Sequence, residues 1–120
     1  MLTQKERRRF KRFRPKDGTM AVNRHALGPV INISMGGLSF RYMGEDSTKQ
    51  VSDILGIFLG LDDVLIERIV TKVISDKLIS HGSSFMKTST RQRSIQFTKL
   101  THSQRENLEE FIGSKTLGTY

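Results

Sequence analysis

The 120-residue chain contains no cysteine and no tryptophan. Without cysteine there is neither a disulfide nor a thiolate metal site, so the fold must be held by packing and hydrogen bonding alone. A chain of this length buries roughly two thirds of its unfolded surface, which supports one unstapled core and leaves no room for two domains. No stretch approaches the ~18 consecutive apolar residues of a membrane helix. The start, MLTQKERRRF, lacks the apolar run that follows the positive end of a signal peptide. The sequence therefore predicts neither secretion nor membrane insertion, and a cytoplasmic address.

Enzyme signatures are missing too. His25, His81 and His102 are far apart and form no His-x-x-His or His-Glu-x-x-His spacing, so they read as surface histidines, not metal ligands. Asp62-Asp63 are adjacent, and neighbours on a strand point to opposite faces, so a loop suits them better than a carboxylate pair. Ser34 fails the Gly-x-Ser-x-Gly elbow because Asn32 stands at its first glycine, and there is no phosphate-binding Walker loop. The expectation is a protein that binds without catalysing, with no cofactor and no metal.

What the chain has in excess is positive charge, and nearly all of it is at one end. Lys and Arg number 20 against 12 Asp and Glu, a formal net charge of +8. Residues 1–16 hold eight of the cations (Lys5, Arg7, Arg8, Arg9, Lys11, Arg12, Arg14 and Lys16) and one acid, Glu6, so the remaining body is close to neutral. The anion-seeking element is an N-terminal arm. Pro15-Lys16-Asp17-Gly18 favours a turn, which sets the boundary between an arm (1–16), a body (17–114) and a short tail (115–120).

The body is written in short apolar runs: Met20–Val22, Val30–Ile33, Leu38–Met43 and Ile54–Leu61. In Leu38–Met43 the alternation puts Leu38, Phe40 and Tyr42 on one face and Ser39, Arg41 and Met43 on the other, as a half-buried strand requires. Val64–Ile74 is ambiguous, since Ile66, Ile69, Val70, Val73 and Ile74 keep a helical spacing while β-branched richness favours a strand. Ser83–Thr90 and Ile95–Leu100 read as two further strands, although Lys87–Arg93 is poor in apolar residues. A helix over about 101–113 closes the body, with a capping box at Thr101/Gln104 or Ser103/Glu106, an apolar stripe of Leu108, Phe111 and Ile112, and Gly113 as C-terminal cap. The fold class is all-β, a small barrel with one terminal helix.

Two segments stand out. The arm reads Glu6-Arg7-Arg8-Arg9-Phe10-Lys11-Arg12-Phe13; alone, it suits a disordered tail, a nucleic-acid arm or a polybasic membrane segment, with Phe10 and Phe13 free to stack, insert or pack onto the body. The second, Asn32-Ile-Ser34-Met-Gly36-Gly37, reads alone as a polar turn in which Gly36 and Gly37 supply positive φ. Together, Arg8-x-x-x-Arg12 followed about twenty residues later by Asn32-x-Ser34-x-x-Gly37 resembles the paired signature of the PilZ domain family. Arg93-Ser-Ile-Gln-Phe97 running into Leu100-Thr101 resembles the family's last strand and its C-terminal helix, so the resemblance spans nearly the whole chain. It implies a six-stranded or so antiparallel barrel with a terminal helix and a flexible basic arm, and tips Val64–Ile74 toward strand. Ser94 departs from the glycine many members carry, and this departure is expected not to touch the two motifs.

By the same resemblance the ligand is cyclic di-GMP, a bacterial second messenger, and the protein a single-domain receptor that relays its level to an effector protein. Arg8 and Arg12 match the two motif arginines, and guanidinium can pair with phosphate, fork onto guanine or stack on it. Asn32 and Ser34 offer acceptors to guanine N–H groups, and Gly37 leaves space. Arg7 matches the position whose arginine is associated with an intercalated ligand dimer. Two alternatives remain open: a small barrel binding RNA or single-stranded DNA through the arm, and a ligand-free PilZ-like interaction module.

Overall fold

The computed structural model describes residues 10–24, 26–44, 52–60, 63–80, 89–114 and 116–119. They form eight strands and one helix: β1 (Phe13–Pro15), β2 (Thr19–Val22), β3 (Leu27–Ile33), β4 (Gly37–Gly44), β5 (Ser52–Leu59), β6 (Asp63–Ser80), β7 (Ser89–Lys99), α1 (His102–Ser114) and β8 (Thr116–Thr119). All pairings are antiparallel, in the order β2-β5-β6-β7-β4-β3, and β3 returns to β2 through Leu27–Pro29, closing a six-stranded barrel. Among the described residues, no helix is long and apolar enough to cross a membrane.

The alternation in β4 is realised. Leu38, Phe40 and Tyr42 are buried in the barrel, with Val30, Ile33, Leu55, Ile57, Ile66, Ile69 and Ile95 around them, while Arg41 and Met43 face out. The helical spacing of Val64–Ile74 has a different origin. This segment is strand, and two of its bulges insert the residues that make its alternation read as helical. Ile57 pairs with Ile66 and Leu55 with Ile69, so β6 spends three steps where β5 spends two, and Arg68 takes up the excess at a φ of 56°. A second bulge lies between Val73 and Ser75 and leaves Ile74 outside. The interior set Ile66, Ile69, Thr71, Val73 thus reads as a mixture of threes and twos.

The helix braces the first bulge. Gln104 donates its side-chain amide to the carbonyls of Glu67 (2.7 Å) and Arg68 (3.0 Å), while its Oε1 accepts from the Thr101 N–H and its own N–H donates to the Thr101 hydroxyl. Thr101/Gln104 is therefore the capping box. Leu108 and Phe111 bury against the barrel. Gly113 is not the cap that the sequence suggests: the helix runs on through Ser114, whose hydroxyl donates back to the Glu110 carbonyl, and the Thr116 hydroxyl donates to the Ile112 carbonyl that the end leaves open.

Other expectations shift in detail. The Lys16–Thr19 turn forms, closed by the Thr19 N–H and hydroxyl on the Lys16 carbonyl, with Gly18 at a φ of 92°. Yet the last arm residues are already sheet: Phe13 pairs with Ile33 of β3 and with Thr119 of β8, so β1 and the tail strand β8 extend the sheet past the point of closure. Ser83–Thr90 is not seen as a separate strand: residues 83–88 lie outside the described residues, and Ser89 and Thr90 begin the unbroken β7.

β7 continues through its apolar-poor part because that part carries a buried polar cluster. Asp76 of β6, with a fully buried side chain, accepts from Arg93 Nε (2.9 Å), Arg91 Nε and the Tyr42 hydroxyl. Arg93, 1% exposed, also donates to the Tyr42 oxygen and lies over its ring. Three hydrogen bonds give both carboxylate oxygens a partner and tie β4, β6 and β7 into one wall.

Candidate functional site

The outer face of that wall carries a pocket of about 480 Å³, within the range of small-molecule sites. Its floor begins at Asn32. A bulge between Val30 and Asn32, where β3 spends two residues against one of β4, resets the alternation so that Ile33 follows Val30 into the core and Asn32 faces the pocket. Asn32 is 5% exposed, and its amide has no hydrogen-bond partner among the described residues.

Ser34 lies in the same pocket and also builds the turn. Its N–H donates to the Gly37 carbonyl (2.8 Å), its hydroxyl accepts from the Gly36 N–H (3.1 Å) and faces the Gly37 carbonyl (3.3 Å). One lone pair of the hydroxyl remains for an incoming donor. The polar-turn reading therefore applies to Ser34, which also lines the pocket.

The glycines serve proximity and not positive φ, which neither Gly36 nor Gly37 adopts. A Cβ on Gly37 would lie 2.1 Å from the Ile95 carbonyl oxygen, so glycine there lets β4 approach β7, and Gly37 also lines the pocket. A Cβ on Gly36 would meet the Phe10 ring at 2.7 Å. Phe10 thus seats the arm on the turn, and Arg12, two residues on, becomes part of the pocket wall. Arg12 is the one charged side chain among the described lining residues, and no described carboxylate pairs with it. Gly36→Ala and Phe10→Ala are each expected to speed tryptic cleavage after Lys11 and Arg12 by about fivefold at unchanged thermal midpoint, as an arm held by ~1 kcal/mol requires. Unchanged cleavage in both would show that this contact does not hold the arm.

The remaining lining residues escaped sequence reasoning. Ser39 and Ser94 share a 2.7 Å hydrogen bond on the floor, Ser39 stands opposite Asn32 across β3 and β4, and Gln96 and the bulged Ile74 complete the rim. Ser39 is buried although it points outward, because it lies in the floor of the pocket. Ser94 reaches the pocket of the second motif indirectly, through its bond to Ser39, which stands opposite Asn32. The signal was an outward-facing serine at matching positions of two strands. Of the predicted site residues, Arg12, Asn32, Ser34 and Gly37 converge on this pocket, and Arg7 and Arg8 lie outside the described residues.

Compared by sequence, the chain matches no family model and no curated protein. Compared by fold, it is similar to the PilZ domain with c-di-GMP of YcgR from Escherichia coli, at a TM-score of 0.67 and 16% identity over 91% of each chain. It is also similar to the K. pneumonia MrkH–c-di-GMP complex, at a TM-score of 0.65 and 18% identity over 91% of this chain. A further structure of MrkH, described as a c-di-GMP-dependent transcription regulatory factor, matches at a TM-score of 0.61 and 19% identity. The chain spans about half the length of MrkH. The fold is PilZ-type.

Proposed function

We propose that this PilZ-type barrel is a cytoplasmic receptor for cyclic di-GMP that relays the messenger's level to an effector protein, by binding and without bond-making. The observation that carries the reading is the meeting of Arg12, Asn32 and Ser34 around one pocket, although they come from the arm, a strand and a turn. The fold similarity to structures holding c-di-GMP supports it.

The chemistry divides between arm and floor. The ligand presents two phosphodiester anions and two guanines, and Arg12, free of any described carboxylate, is available to phosphate or to a guanine face. Asn32 and the spare lone pair of Ser34 can accept from guanine N–H groups. Arg8 and Arg7, just upstream of Phe10 in the sequence, are proposed as the arm's further cations for the ligand. A partner that reads the arm in its closed position would receive the signal.

Selectivity tests the reading: cyclic di-GMP is expected to bind far better than GMP, GTP or a short RNA, because only the cyclic dinucleotide engages arm and floor together. A mixed-sequence oligonucleotide that binds as tightly at physiological salt, without competition from cyclic di-GMP, would replace this reading with RNA or single-stranded DNA binding. Arg7 is proposed to set stoichiometry. A stacked ligand dimer brings twice the phosphate charge of one molecule, which calls for more cations than Arg8 and Arg12. Two ligands per chain are expected by calorimetry, falling toward one in Arg7→Leu, with the two-ligand state more sensitive to salt. A ratio of one, unchanged by Arg7→Leu, would leave Arg7 as a solvated member of the charge run.

A further inference from the structure

We infer that the Ser39–Ser94 hydroxyl pair reads the base of the ligand, donating to the guanine O6 and so favouring guanine over adenine. This rests on the reading of the pocket as a cyclic dinucleotide site.

Every described lining residue contributed by the barrel is neutral, and the one charged wall residue, Arg12, comes from the arm. Phosphates therefore face the arm, and the bases are left to the floor. The floor then has to match a purine edge.

Two serine hydroxyls carry two protons, and their 2.7 Å contact uses one. The second proton has no acceptor among the described residues, and Ser39 is only 5% exposed. The pair thus holds one unspent donor, on whichever hydroxyl accepts the mutual bond, in the floor of the pocket. Asn32, in register with Ser39 and equally buried, supplies an amide beside it whose oxygen can accept. A donor next to an acceptor complements guanine, which offers O6 beside its N–H groups; adenine offers an amino group where O6 would be, which a hydroxyl lone pair can accept but which leaves the unspent proton without an acceptor.

The arrangement also says how single changes behave. Removing either serine leaves the other with a proton to donate, only less well aimed. Removing both removes the donor.

The test is calorimetric titration with cyclic di-GMP and its displacement by cyclic di-AMP, on wild type, Ser39→Ala, Ser94→Ala, the double variant and Ser94→Thr, with thermal midpoints recorded. The double variant is expected to bind cyclic di-GMP about tenfold more weakly while cyclic di-AMP binding does not fall, so that the ratio between them collapses. Each single variant should lose less than the double, and Ser94→Thr, which keeps the hydroxyl, should keep the wild-type ratio within about twofold. A double variant that retains the wild-type ratio, or that weakens both ligands equally, overturns the inference and leaves the serines as part of the sheet. Should the double variant melt early, the ratio in the single variants against Ser94→Thr decides in the same way. Wild-type protein that binds no cyclic di-GMP removes the receptor reading and this inference together, whereas binding with an unmoved ratio removes only the inference.

Discussion

Asp76→Asn is expected to cost about 3–5 kcal/mol of folding stability, the scale of breaking a buried ion pair by removing one partner. The side chain is fully buried and accepts from Tyr42, Arg91 and Arg93, so the amide loses its charge and turns donors toward donors. Burial alone would raise the Asp76 carboxyl, but the hydrogen bonds from Tyr42, Arg91 and Arg93 hold it below the ordinary range. Its contribution is therefore complete above the unfolded carboxyl value of about 3.9 and is lost as pH falls through the lower folded value. Tyr42 moves the other way: burial and its bond to Asp76 raise its hydroxyl. That contribution is present below the unfolded value of about 10 and is lost as pH rises through the folded one. Denaturant melts across pH should show the acid limb flattened in Asp76→Asn. A variant within about 1 kcal/mol of wild type would mean that the cluster does not hold the wall.

Arg12→Ala is expected to weaken cyclic di-GMP binding by about 2 kcal/mol or more, roughly thirtyfold, the scale of a lost charge-assisted contact. Thermal stability should stay nearly unchanged, because Arg12 is only partly buried and pairs with no described carboxylate. The pairing of outcomes matters. Arg12 shares its segment with β1, which is hydrogen-bonded to β3 and β8, so a structural role would appear as a lowered melting temperature. Lost binding at constant stability assigns the guanidinium to the ligand. An unfolded variant would instead make the arm part of the fold and remove Arg12 from the site.

How much of this was legible in the sequence depends on whether local pattern and burial agree. β4 was readable because Leu38, Phe40 and Tyr42 alternate without interruption and all three are buried. β6 was not, because the bulges at Arg68 and Ile74 convert a period of two into steps that imitate a helix. The polar cluster was hidden for a different reason. Asp76, Arg91 and Arg93 look like solvent-facing charges in a polar stretch, and only the register places them opposite one another inside the barrel. In the site, Asn32, Ser34 and Arg12 were visible through motif spacing, whereas Ser39 and Ser94 are 55 positions apart and meet only through the β4–β7 pairing. The glycines were identified as necessary for the wrong reason: Gly36 and Gly37 are close-approach positions against Phe10 and Ile95, a property that needs the partner element to be known.

Calorimetric titration of the wild-type protein with cyclic di-GMP at physiological salt decides whether the pocket holding Arg12, Asn32 and Ser34 is a cyclic di-GMP site. Saturable binding with a defined ratio of ligand to chain, weakened in Arg12→Ala at unchanged melting temperature, is the predicted result. Absence of heat and of any shift in melting temperature at saturating cyclic di-GMP would contradict it.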